Sequence, residues 1–278
     1  MLKRYAEKKP IAFGIIGTIA IITLFAVAIL TFITLFLSSV TTSQGLLIDG
    51  ITRIVFFVPV AILLGYIIKD SGFRFAFSTK GFAKGMFASI PILLCLIPPA
   101  CVFFNIAQIN RDLLSIFPAV VFQQITAGLF EEPLFRGLLI TAILIKWGDK
   151  VKGRIIAMLI TAILFGLIHF LNVFTGSGGD ITHVLKSFTM GIMLAAVYIY
   201  SKNLLSAMAM HSFYNVVLSA ADLVISENNI FLYVYSIAYE AVLLLVGPVI
   251  AITLIIKAKP FGNLADEALD NLEASQHK

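Results

Sequence analysis

The chain of 278 residues is 60% hydrophobic and 13% charged, with a mean hydropathy of +1.01. Soluble domains hold roughly 45–50% apolar and 25% charged residues, so a water-soluble globular fold is excluded and a multi-pass protein of the cell membrane is expected. The net charge of +5 would suggest a nucleic-acid partner on a soluble domain. Here the basic residues are parcelled out between apolar runs, and no nucleic acid is expected.

The first apolar run, residues 11–37, follows Lys3, Arg4, Lys8 and Lys9. It is too long for a signal-peptide core and no small-residue cleavage site ends it, so it is expected to stay as an anchor. Further runs cover residues 51–68, 85–104, 113–145, 155–173, 184–200, 204–225 and 231–256. These make an all-α bundle of eight transmembrane helices, residues 1–259, followed by a polar cytoplasmic tail, 260–278. With the N-terminus cytoplasmic, 16 of the 20 basic residues fall on inner segments. Arg53, Arg111 and Lys186 are then left at outer ends, and Arg136 lies within a span. That asymmetry selects an even number of spans with both termini cytoplasmic.

The fourth run is the awkward one, because its 33 residues would make about 50 Å of straight helix. Tilting, protrusion or a break at Pro133 would accommodate it. Pro118 and the pair Pro98-Pro99 are expected to kink or interrupt their helices. Cys95 and Cys101 read as small buried apolar groups. Residues 174–180, rich in glycine, form an outer loop with no phosphate-binding pattern.

Within the fourth run stand Glu131, Glu132 and Arg136, at a depth where each charge costs a few kcal/mol. Spacing four puts Glu132 and Arg136 on one helix face, where they can pair. Glu131, rotated by about 100°, is expected to remain free. The fifth span carries Phe165 and His169 at the same spacing, and the seventh carries His211 and Asn215. Glu131 lies 15 residues before Lys146 and His169 lies 15 after Arg154, which places both about 22 Å from the inner charges. His211, nine residues after Lys202, comes to about 13 Å on the same rise, a difference that helix tilt and snorkelling lysines would absorb. Together a free carboxylate, two imidazoles and an amide supply what hydrolysis needs: a base for water and donors for an oxyanion. Each residue also has a plainer use, as a helix–helix hydrogen bond or a structural ion pair. His183 is read that way, and Asp222 and Glu240 are weaker candidates for function.

In these residues the chain resembles the CPBP family of intramembrane proteases, also called Abi, which includes the CAAX prenyl endopeptidases of the Ras-converting type. The three motifs E-E-x-x-x-R, F-x-x-x-H and H-x-x-x-N appear in that order, on separate spans, over about residues 117–224. The resemblance implies an intramembrane endopeptidase with its catalytic water in a membrane-embedded cavity. Glu131 with His169 would activate the water, His211 and Asn215 would hold the oxyanion, and Glu132, Arg136 and Phe165 would give structural support. The substrate would be a peptide or protein, prenylated or otherwise membrane-anchored, met within the lipid bilayer. Glu131, His169 and His211 could also supply three ligands to zinc. The two histidines are on different helices and H-E-x-x-H is missing, so the reading leans to a glutamate-type site with no obligatory metal.

Two other classes compete. A non-catalytic membrane protein, transporter-like or an immunity or accessory factor, would use the charged cluster as a helix lock. A transporter should show a counterpart of that cluster in its other half, and the first three spans hold none. A serine esterase is disfavoured because G-x-S-x-G is missing, and Ser177 lies in the outer loop.

Overall fold

The computed structural model describes residues 9–36, 41–68, 79–96, 111–175, 181–221 and 230–261. Among them every regular element is helical. The order is α1 Pro10–Phe36, α2 Thr42–Ile68, α3 Phe82–Ala88, α4 Ile90–Cys95, α5 Arg111–Glu132, a π-helical segment Pro133–Ile140, and α6 Thr141–Trp147. Then come α7 Val151–Thr175, α8 Ile181–Ser201, α9 Leu204–Ala221 and α10 Ile230–Lys257. Apolar runs of this kind take helical form in lipid because a helix satisfies its own backbone polar groups. Of the described helices, α1, α2, α7 and α8 each hold a stretch long and apolar enough to cross a membrane, and shorter apolar stretches lie in α9 and α10. Large apolar side chains such as Leu24, Val55, Ile62 and Leu245 remain on the outside, as a bundle surrounded by lipid requires.

Three of the expected runs come out differently in detail. The third is not one helix, because Ser89 adopts a turn between α3 and α4 and its hydroxyl donates to the Gly85 carbonyl. Pro91, near the start of α4, has no N–H to give back to the preceding turn. The second begins at Thr42, nine residues before the apolar run, so Asp49 and Arg53 lie inside the helix and not at its outer end. The 33-residue run neither stops at Pro133 nor continues as a regular α-helix. Pro133 cannot donate, and its ring would crowd the Leu129 carbonyl; the turns from Pro133 to Ile140 widen to the π form, as happens at functional sites. Pro118 stays inside α5. Pro98, Pro99, Cys101, Asp222, the loop 176–180 and the tail from residue 262, with His277, lie outside the described residues, as do the side chains of Cys95 and Glu240.

The π segment is the centre of the packing. All eight of its residues are buried, and Leu134, Leu138 and Leu139 join Val60 and Leu64 of α2, Ala195 and Ile199 of α8 and Leu204 of α9 in one core. Around it α5 packs against α2 and α9, and α8 packs against α7 and α10. The contact between α5 and α9 depends on Gly128. A Cβ there would come within 2.9 Å of the Met208 carbonyl and 2.3 Å of Ser212 Oγ, so the two backbones can approach only over a glycine.

At one end of the bundle the helices are tied by Asp149, which pairs with Arg154 and accepts from the Phe261 backbone N–H. Arg154 also donates to the Ala258 carbonyl. Between α8 and α9 the chain turns at Lys202, whose φ is +62°, and Asn203 then caps α9 by accepting from the Ser206 N–H. The Lys202 ammonium is buried without a hydrogen-bond partner among the described residues and lies 3.6 Å from the centre of the Phe261 ring. Burial pushes its pKa down to about 7, although Asp149 pulls the other way. A lysine with a depressed folded-state pKa binds fewer protons folded than unfolded, so stability should rise with pH from about 7 to about 10.5. Thermal unfolding in detergent across that range should show the rise in the wild type and a flatter profile in Lys202→Met. An identical rise in the variant would assign it to another group.

Candidate active site

At the junction of α5 and the π segment, two adjacent carboxylates enter different surroundings. Glu132 is sealed, with none of its side chain exposed, and its Oε1 accepts from Arg136 Nη1 at 2.6 Å and from His211 Nδ1 at 2.7 Å. The expected pair of Glu132 and Arg136 is present, with His211 as a third member that ties α9 to it. Arg136 also donates through Nη2 to the Gly191 carbonyl of α8 at 3.3 Å. This network joins the π segment, α8 and α9 in the interior.

Glu131 faces the other way, and 17% of its side chain remains exposed. It is not free. Its Oε1 accepts from Arg53 Nη1 of α2 at 2.7 Å, a partner 78 residues away that the sequence reading left at an outer end. The physical reason is the N-terminal extension of α2, which carries Arg53 down to the level of the acids. Arg53 in turn donates through Nε to Asp49 Oδ2 at 3.0 Å, and Gln123 of α5 donates to the same oxygen at 2.7 Å. The other oxygen of Glu131, Oε2, lies 3.9 Å from His211 Nε2.

His169 is half-buried, and its Nδ1 lies 2.8 Å from the Phe165 carbonyl one turn earlier. A carbonyl only accepts, so this contact assigns the proton to Nδ1 and leaves Nε2 as the free base of the neutral ring. By the same argument His211, donating through Nδ1 to a carboxylate, presents Nε2 toward Glu131. The buried Phe165 ring lies between the two imidazoles, 4.6 Å from the His169 ring and 5.7 Å from that of His211. Arg136 Cζ lies 4.7 Å from the centre of the same ring. The exposed ring of His183 is 5.4 Å from His169.

The structure therefore gathers Glu131, Glu132, Arg136, Phe165 and His211 around one point, with His169 against Phe165. Asn215 is half-buried one turn beyond His211 on α9. Residues 113–217 match the Rce1-like family, type II CAAX prenyl endopeptidases. The matched stretch is a little over a third of the chain and runs from α5 into α9. No curated protein and no solved structure matches the chain. At the level of the family, similarity to Rce1-like proteins supports a CAAX-protease-like membrane endopeptidase with a peptide or protein substrate.

Asp49, Arg53 and Gln123 are what sequence reasoning missed, and Asp49 and Arg53 lie outside the Rce1-like stretch. A signal was available. Asp49 and Arg53 are four apart, the spacing of an ion pair on one helix face, at the start of an apolar run that such a pair could enter. For zinc, the protonated Nδ1 of each histidine would suit a ligand bound through Nε2. However, no three His, Cys, Asp or Glu side chains among the described residues are gathered closely enough to hold a metal ion. The shallow apolar recess lined by Pro91, Ile92, Met193 and Leu254 shares no lining residue with this cluster.

Proposed function

We propose that the chain is an intramembrane endopeptidase of the CAAX-protease type, in which Glu131 and His169 activate a water and His211 and Asn215 hold the oxyanion. One observation carries the reading: on a half-buried carboxylate whose other oxygen is held by Arg53, Glu131 Oε2 faces His211 Nε2 across 3.9 Å. An oxygen atom placed about 2.8 Å from each would sit at hydrogen-bond distance from both. Glu131 takes the proton as the water attacks the scissile carbonyl and returns it to the leaving amine. His169, held by its Nδ1 on the Phe165 carbonyl, keeps Nε2 available for the same water. His211 can donate to the oxyanion from Nε2 as an imidazolium whose other N–H remains on Glu132, and the Asn215 amide supplies a second donor.

A helix lock accounts for Glu132, Arg136 and Gly191. It gives no use to the Glu131 oxygen that faces His211, and this favours the enzyme. The proposal extends to topology, as eight spans with both termini cytoplasmic in the cell membrane, and to a substrate that is prenylated or membrane-anchored. The test is hydrolysis of farnesylated and unmodified peptides by the purified protein in detergent, with products identified by mass. His169→Ala and Asn215→Ala should each lower kcat, by about 10²-fold or more for the histidine. Rates equal to wild type in both folded variants would end this assignment. Chelation should leave the rate unchanged, whereas a loss restored by zinc would make Glu131, His169 and His211 metal ligands.

A further inference from the structure

Arg53 is an arginine inside a membrane helix, and each of its contacts points at the site. Its Nη1 donates to Glu131 Oε1 at 2.7 Å and its Nε to Asp49 Oδ2 at 3.0 Å, so one planar guanidinium bridges two carboxylates in fixed directions. Asp49 is itself held by Gln123 at 2.7 Å. The Phe25 ring of α1 lies 5.4 Å from Arg53 Cζ and stacks on Phe130, the residue before Glu131, at 5.2 Å. Beside Asp49, Gly50 lets α2 approach α5, since a Cβ there would come within 2.6 Å of the Phe122 ring. Close approach, seat and fork all converge on one oxygen of Glu131 and leave the other turned to His211.

We propose that Arg53 is a positioning residue for the reaction, with Asp49, Gln123 and Phe25 as its seat. It anchors Oε1 so that Oε2 is held at the distance where a water can touch both Glu131 and His211. This inference rests on the reading of Glu131 as the base. An ion pair that served only to insert α2 into lipid would need neither Gln123 nor a guanidinium in preference to an ammonium. Lysine makes one such contact but cannot span Glu131 and Asp49 in a plane.

The experiment measures kcat and KM separately for the full chain in detergent, on the peptide the wild type cleaves, with thermal unfolding of each preparation. Arg53→Lys should lower kcat by about 10-fold or more with KM unchanged, since displacement of a catalytic group by about 1 Å costs up to 10²-fold. Arg53→Ala should fall further, and added guanidinium should restore part of its kcat. Arg53→Lys with wild-type kcat, or a change in KM alone, would overturn the proposal. If Arg53→Ala does not fold, Arg53→Lys decides. Glu131→Gln separates the two failures: an active glutamine variant removes the base and this inference with it, whereas an inactive one beside a fully active Arg53→Lys overturns the positioning role alone.

Discussion

Replacing Glu131 by glutamine should lower kcat by about 10² to 10⁴-fold while the bundle stays folded. The amide keeps the size of the side chain and still offers an oxygen to Arg53 Nη1, but it cannot take a proton from water. Arg53 also retains Asp49, so the substitution does not strand a charge. The cost in stability should therefore remain well below the ~3–5 kcal/mol of a broken buried pair. Rates and thermal unfolding measured on one detergent preparation check both halves. A glutamine variant that cleaves at the wild-type rate would pass the role of base to His169. One that loses activity and unfolds together with it would instead favour a helix lock.

What could be read ahead of the structure was local. Spacing four predicts that Glu132 and Arg136 share a face, and they do, because that separation closes a helical turn whether its pitch is α or π. The same spacing places Phe165 over His169, with rings 4.6 Å apart. The apolar runs give helices whose ends differ by a few residues from the runs themselves, as at α1, α8 and α10. Contacts between helices were not legible. Nothing in the order of residues says that α2 lies beside α5, so the partner of Glu131 could not be named and the acid looked free. Nor does spacing say that His211 Nδ1 goes to Glu132, which assigns its tautomer and the direction of Nε2. Pro133 marks a disturbance in the chain, but its form is a widened helix in place of a break, over eight buried residues that Pro133 opens.

The largest effect on stability should come from the sealed half of the cluster. Glu132 and Arg136 have 0% and 1% of their side chains exposed, and neither can reach water if its partner is removed. Glu132 Oε2 and Arg136 Nε already have no hydrogen-bond partner among the described residues, so the network has little to spare. Glu132→Ala strands a guanidinium and frees His211 in one step, and should cost about 3–5 kcal/mol. Arg136→Met leaves Glu132 with His211 but gives up the bond to the Gly191 carbonyl, and should cost a similar amount or slightly less. The double variant is the sharper measurement. Removing the second charge relieves the first, so the two losses should sum to more than the double variant loses, by about 1–3 kcal/mol. Unfolding in mixed micelles gives all three values, and strict additivity would show that the two groups do not stabilise each other. Because Arg136→Met spares the His211 contact, its residual activity in folded protein should exceed that of Glu132→Ala, which lets the imidazole turn away from Glu131.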